Sequence, residues 1–366
     1  MTPRPWLDVL RGVAVLLVLL HHAFADAGAL EPLLRPLRMA GWAGVALFFV
    51  LSGYLVTSAL VAESEREGRV EVGRHLARRL ARLLPPLAVL WVVTLGVRTL
   101  IHAPLPWNRV LGEVLMLQDH LGRMWLHTWS LAVEWHFCLV LPALTWLPAR
   151  ARLPLLAAVV VGSPLLRAVA FRPPAGEEPL PFATLLRLDA LALGAAFALL
   201  APEGIRRGRA WLAALGLVGL LPLCLRAPGT SAGSAAWKPS LAALSGAALP
   251  AACAAPAVLP AWARPLRQVG RRPCSLYLWH VPEWTWGTAA LRVLTGTEPS
   301  GAGCCSATSL PRSRWVGSWR RRWSSRRSAG GRCAGPVCRR QGLPGPAPGS
   351  RWRKVHGAPW TSPSSS

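Results

Sequence analysis

The sequence predicts an all-α fold, a polytopic bundle of transmembrane helices with about nine spans visible. Three observations predict it. The 366 residues are 52% hydrophobic and only 16% charged, a composition that belongs to a multi-pass membrane protein rather than to a soluble domain of this length. Apolar segments recur near 7–25, 40–61, 84–101, 128–147, 153–170, 185–201, 210–225, 240–259 and 274–294, each about long enough to cross a ~30 Å hydrocarbon core. Between them the basic residues collect on alternate sides: six Arg from Arg66 to Arg82, then Arg150 and Arg152, then Arg206, Arg207 and Arg209, then Arg264, Arg267, Arg271 and Arg272. That alternation places the N-terminus inside through eight crossings.

The first segment, LDVLRGVAVLLVLLHHAF at Leu7–Phe24, carries Asp8 and Arg11 near its start and His21 and His22 near its end. On a helix Arg11 and His22 fall within about 20° of one face and ~16 Å apart along the axis, with Asp8 about 40° from His22. Ionisable groups inside a span cost on the order of 2.5–3.5 kcal/mol each, so they are functional candidates. A weakly charged start and no nearby small-residue cleavage site argue against a signal peptide. In the second segment Gly41, Gly44, Ser52 and Gly53 are small residues that let helices approach closely. The stretch RHLARRLARLLPPL at Arg74–Leu87 then gathers Arg78, Arg79 and Arg82. It reads either as a positive-inside cluster or as a site for a phosphate-rich ligand, since guanidinium forks match phosphate oxygens. Pro85 and Pro86 are expected to end that stretch or to start the next span.

The fourth segment, HTWSLAVEWHFCLVLPAL at His127–Leu144, places Ser130, Glu134 and His136 in an apolar helix. Ser130 and Glu134 are one turn apart, and His127 shares the face of Glu134 two turns away. Glu134 is either a proton-transfer group or a packing residue paired with Arg. Arg187 and Asp189 lie about 200° apart on a helix, so each must find another partner. His280, in SLYLWHVPEW at Ser275–Trp284, reads alone as an interfacial-belt histidine.

The balance of 41 basic to 16 acidic residues gives +25, which would ordinarily suggest nucleic acid. Here the Arg runs serve topology, and no nucleic-acid partner is expected. About half of the excess lies beyond Pro299, where there are thirteen Lys plus Arg and no acid. The chain therefore divides into a membrane domain over 1–295 and a basic tail over 296–366, rich in Arg, Ser, Gly and Pro. The tail is read as disordered or frame-shifted sequence, with a basic tail gripping anionic lipid or nucleic acid as the alternative. The eight cysteines show neither metal-ligand spacing nor a disulfide framework.

Taken in order, these stretches resemble acyltransferase family 3, integral-membrane acyltransferases that include bacterial O-acetyltransferases of surface glycans. Arg11 and His22 meet its opening pattern, Phe48–Leu55 its FFVLSGYL-like run, and Arg78, Arg79, Arg82 and Pro85 its RR-x-x-R-x-x-P signature. Trp129, Ser130, Leu131, Val133, Glu134 and Phe137 meet its WSLSVEEQFY-like helix, and Ser275–His280 its SLYLWH run. Trp135, His136 and Cys138 depart from the pattern, and a tenth helix is expected where the tail supplies none.

The resemblance implies acyl transfer at a multi-pass bacterial cytoplasmic membrane. The donor is acyl-CoA, taken as acetyl-CoA, a co-substrate rather than a bound cofactor, and no metal is needed. Arg78, Arg79 and Arg82, with Arg11, are expected to hold its phosphates from the cytoplasm. His22 is expected to act as base or to carry the acyl group, and Glu134 to orient or re-protonate that imidazole. Asp8, Ser130 and His280 are possible substrate-site residues. The acceptor is expected to be a hydroxyl of a surface polysaccharide, lipid-linked glycan or glycosylated metabolite. A transporter or flippase with proton-relay charges, and an inactive truncated enzyme, are the alternative readings.

Overall fold

The computed structural model describes residues 4–23, 31–170, 184–200, 232–253 and 258–295, with isolated positions between 211 and 219. The described residues are helical and contain no strand, as the composition requires: in hydrocarbon, a helix satisfies its backbone polar groups within itself. The expected segment at 210–225 lies largely outside the described residues, and the tail at 296–366 lies wholly outside them.

Helix α1 runs Pro5–Ala23, with Pro at its first position and Asp8 in its first turn, both favoured there. Helix α2 (Glu31–Glu67) stops at Gly68, whose φ of +70° suits a glycine just past a helix end. Helix α3 (Val72–Leu100) keeps both Pro85 and Pro86 in its interior. The expectation that they would end the Arg-rich stretch is therefore corrected. They cost two backbone bonds, those to the carbonyls of Ala81 and Arg82, which are exposed. Short α4 (Trp107–Val114) and α5 (Gln118–Leu121) precede a 3-10 turn at Leu126–Thr128, which feeds α6 (Trp129–Val140).

The expected continuous span at 128–147 is instead broken. Pro142 has no N–H to give the Cys138 carbonyl, and the chain restarts as α7 (Ala143–Trp146). Arg152, from α8 (Ala149–Ala170), closes that end by donating to the carbonyls of Thr145 and Leu147, both at 3.1 Å. There follow α9 (Leu188–Leu200), α10 (Ala232–Cys253), α11 (Ala263–Arg271) and α12 (Pro273–Thr295).

Four of these are long and apolar enough to cross a membrane: Pro5–His22 within α1, Gly41–Glu67 within α2, α3 and α8. Helix α9 is apolar but shorter. The all-α membrane architecture thus stands, while the count of nine spans is not reached among the described residues. Helix α2 is the axis of the core. Ala43, Phe49 and Val50 pack with Val133 of α6, Leu191 of α9 and Ala243 of α10. Gly53 and Gly194 make the α2–α9 crossing possible, since a Cβ on either would run into the other helix's backbone carbonyl. A second core joins Leu87 and Leu90 of α3 to Trp125, Leu131 and Leu278.

Two polar devices hold this apolar frame. Arg167 of α8 is fully buried and forks onto Asp189 of α9, with Nη2–Oδ2 at 2.8 Å and Nη1–Oδ1 at 3.2 Å. It also donates to the Ala236 carbonyl at 2.8 Å and to Ser240 of α10. Asp189 thus finds its partner outside its own helix, as the 200° separation from Arg187 requires. Arg187 lies over the Trp129 ring, 5.4 Å from its centroid. Before α6, buried Glu113 accepts from the amides of Met124 (3.0 Å) and Trp125 (3.4 Å), the Thr128 hydroxyl and the Gln118 amide. These donors fix the loop that delivers Leu126–Thr128.

Candidate active site

Helix α1 organises two groups of polar side chains. At its Asp8 end, Arg11 Nη1 lies 3.4 Å from Asp8 Oδ1, and Arg267 of α11 approaches Asp8 Oδ2 at 3.6 Å. Helix α11 lies directly on α1 there, because Gly12 and Gly270 face each other without side chains. From α3, Arg79 Nη1 stands 3.7 Å from Glu134 Oε1 of α6, and the same oxygen accepts from Ser52 of α2 at 2.6 Å. Arg11 feels the charges of Glu134, Arg79 and Arg82 as well as Asp8. Arg78 turns elsewhere: its Nη2 pairs with Glu63 Oε2 at 3.2 Å, beside Arg74 at 3.1 Å from Glu63 Oε1. The arginines that share one stretch of sequence are therefore divided, Arg79 held at Glu134, Arg78 held by α2 and Arg82 exposed.

The second group is a run of imidazoles at the other end of α1. His22 stacks edge-on against His280 of α12, ring centroids 4.9 Å apart, and His280 stacks likewise against His127 at 5.0 Å. His21 adjoins His22 at 5.1 Å. Each of the three stacked rings donates to a backbone carbonyl: His22 Nδ1 to Val18 at 2.9 Å, His280 Nδ1 to Tyr277 at 2.5 Å, and His127 Nε2 to Leu278 at 3.1 Å. A carbonyl oxygen only accepts, so each bond assigns the proton to that nitrogen. The other nitrogen of each ring then carries a lone pair. Tyr277 locks the arrangement by donating to the His127 carbonyl at 2.9 Å while sharing a 2.7 Å bond with Ser130.

Between the two groups α1 borders a small apolar cavity, lined by Ala14, Val15 and Val18 with Val45, Phe48, Ser130, Leu131 and Tyr277. Its volume of about 10 Å³ is at the threshold for one water-sized group. Val18 and Tyr277 are the residues whose carbonyls hold His22 and His280, so the cavity adjoins the imidazole group.

The structure brings His22 together with His280, Arg11 together with Asp8, and Arg79 together with Glu134. Among the described residues it does not bring Glu134 to an imidazole. Ser52 and Arg79 take its carboxylate instead. Ser130 leaves the Glu134 group for Tyr277, and His136 turns outward to bond Thr184 at 2.7 Å. Helical spacing from Glu134 had hidden His127. It sits in the 3-10 turn before α6, which rotates it away from Glu134 and onto His280. Its place in an apolar stretch, two residues before Trp129, was the available signal.

Comparison with known proteins follows the same lines. The model of a family described as "Acyltransferase domain" matches residues 4–293. Over 337 aligned positions the chain is 28% identical to the peptidoglycan O-acetyltransferase OatA of Listeria monocytogenes, covering 81% of this chain and 51% of that protein. It is 31% identical to the O-acetyltransferase OatA of Staphylococcus aureus strain NCTC 8325 and to a putative O-acetyltransferase of strain COL, each over 38% of this chain and about a quarter of the relative. The chain thus spans about half the length of the Listeria protein. No solved structure matches.

Proposed function

The chain belongs to the acyltransferase-domain family, and on that premise we propose that it is a membrane O-acetyltransferase, moving an acetyl group from acetyl-CoA to a hydroxyl of a cell-surface glycan. The observation that carries the proposal is the division of α1 into a charged end at Arg11 and an imidazole end at His22, with an apolar cavity between them. Eleven residues of helix separate the two by ~16 Å, so the donor's phosphates and its thioester can be held at different depths.

Arg11, Arg79 and Arg82 take the donor's phosphates from the cytoplasmic side, as forked guanidinium groups do. Asp8 and Glu134 keep that group from being purely cationic while the site is empty. The acetyl methyl fits the cavity beside Val18, which puts the thioester carbonyl near His22. With its proton held by the Val18 carbonyl, His22 presents the Nε2 lone pair and serves as base toward the hydroxyl or as transient carrier of the acetyl group. The names of the relatives support a glycan acceptor, peptidoglycan foremost. The tail at 296–366 is taken to play no part in the chemistry.

The direct test uses membranes containing the full chain and labelled acetyl-CoA, with acetate on envelope glycan as the readout. The wild type transfers label. His22→Ala abolishes transfer, and Arg11→Ala raises the KM for acetyl-CoA. Undiminished transfer by His22→Ala would remove His22 from the mechanism.

A further inference from the structure

Buried imidazoles are expensive to leave without partners, yet two nitrogens of this group have none. His280 Nε2 and His127 Nδ1 are buried without a hydrogen-bond partner, and His127 as a whole is only 4% exposed. The carbonyl bonds to Tyr277 and Leu278 make both of these nitrogens acceptors. What such a pair lacks is a proton donor. A hydroxyl group supplies one, and neighbouring hydroxyls of a sugar ring supply two. The His280 ring stands 4.9 Å from that of His22, so a hydroxyl bonded to His280 Nε2 would lie beside any acyl group that His22 carries.

We infer that His280 is the base that takes the proton of the acceptor hydroxyl, and that His127 positions that hydroxyl against it. The inference rests on the acetyl-transfer reading above and extends it to the acceptor half of the reaction. His22 Nε2 attacks the thioester carbonyl; an N–C bond forms, the C–S bond breaks, and CoA leaves as the thiolate. His22, still protonated at Nδ1, is then a cationic acetyl-imidazole and has no lone pair left to act as base. The acceptor oxygen attacks its carbonyl while His280 Nε2 takes the hydroxyl proton. The C–N bond breaks, and its electron pair returns to His22. His280 now carries the extra proton, which passes to the CoA thiolate. The net change is alcohol plus acetyl-CoA to ester plus CoA. A second imidazole is needed because the first is occupied by the acyl group. The stacked geometry provides it.

The two halves of the reaction can be read separately in membranes holding the full chain. Exchange of acetyl between acetyl-CoA and labelled CoA reports the first half, and acetate on envelope glycan reports the second. His280→Gln should keep exchange near the wild-type rate and lose transfer by about a hundredfold or more, the range for general base catalysis. His127→Gln keeps a donor for the Leu278 carbonyl but loses the Nδ1 acceptor, and should keep exchange while raising the acceptor concentration needed for transfer. His22→Ala should lose both.

Transfer by His280→Gln at the wild-type rate overturns the inference. So does loss of exchange and transfer in equal measure, which marks a structural role, or a wild type that transfers without exchanging. A wild type that exchanges but acetylates no glycan refutes the glycan reading instead. The histidine assignment is then decided on acetyl-CoA hydrolysis, with water as the acceptor: His280→Gln must slow it while exchange persists, and an unchanged hydrolysis rate overturns it.

Discussion

Arg79 and Glu134 meet between α3 and α6, with 3.7 Å from Nη1 to Oε1, and Ser52 of α2 donates to the same carboxylate oxygen. Three helices are thereby joined at one acid. Glu134→Gln keeps the shape and an acceptor for Ser52 but removes the charge opposite Arg79. Acetyl transfer in membranes is expected to fall by at least about tenfold, the size of one lost charge-assisted contact. A rate equal to wild type would show that Glu134 serves packing alone.

The fork from Arg167 to Asp189 is the most completely buried ion pair described, with side chains 0% and 3% exposed. Replacing one member leaves the other charged and unpaired. Asp189→Ala is expected to cost about 3–5 kcal/mol, and the double change Arg167→Met with Asp189→Leu to recover most of that loss. Thermal unfolding in detergent, read by loss of helical signal, checks both. Equal destabilisation by the single and double changes would contradict the account.

The cavity beside Val18 has room for one small group. One methylene in an apolar pocket is worth about 1–3 kcal/mol, so acetyl-CoA should be preferred over propionyl-CoA by about 10–200-fold. Val15→Ala enlarges the cavity and should narrow that ratio. Competition between the two donors in one assay measures it, and a ratio unmoved by Val15→Ala would place the acyl chain elsewhere.

Burial raises the Glu113 carboxyl above its ordinary pKa, and the donors from Thr128, Met124, Trp125 and Gln118 only partly oppose this. Between the unfolded and folded values the folded loop holds the extra proton, so its stability is greatest at low pH and falls as pH rises through that interval. Hydrogen exchange at the Met124 and Trp125 amides, corrected for intrinsic rate, should show protection declining upward from about pH 4.3. Glu113→Gln should remove the decline. A decline that survives this change would assign it to another group.

What the sequence made legible was whatever a local pattern can carry. Apolar runs predicted helices, ordered motifs predicted the family, and the angular separation of Arg187 and Asp189 predicted outside partners. The rest depends on groups that meet only through packing. Arg167 gave no sign, because a buried arginine in an apolar run looks like any interruption of it. His127 was read on the face of Glu134 because a regular helix was extended one turn too far. Pro85 and Pro86 misled for the opposite reason. The two carbonyls they leave free, on Ala81 and Arg82, lie in an exposed part of the helix, so the helix runs on at the cost of two backbone bonds.

Helix α3 has the least buried apolar window of the four membrane-length helices, 17% against 56% for α2, and its outward face carries Val89 and Val92. Of its 29 residues the apolar part, 84–101, would extend ~27 Å, close to the ~30 Å of a hydrocarbon core, which leaves the arginine-bearing half at the membrane boundary. The arginine-bearing end is fastened by ion pairs to Glu63 and Glu134. A change of bilayer thickness is therefore expected to load α3 against the ion pairs at that end. The strength of those ion pairs is then expected to vary with the lipid in which α3 sits.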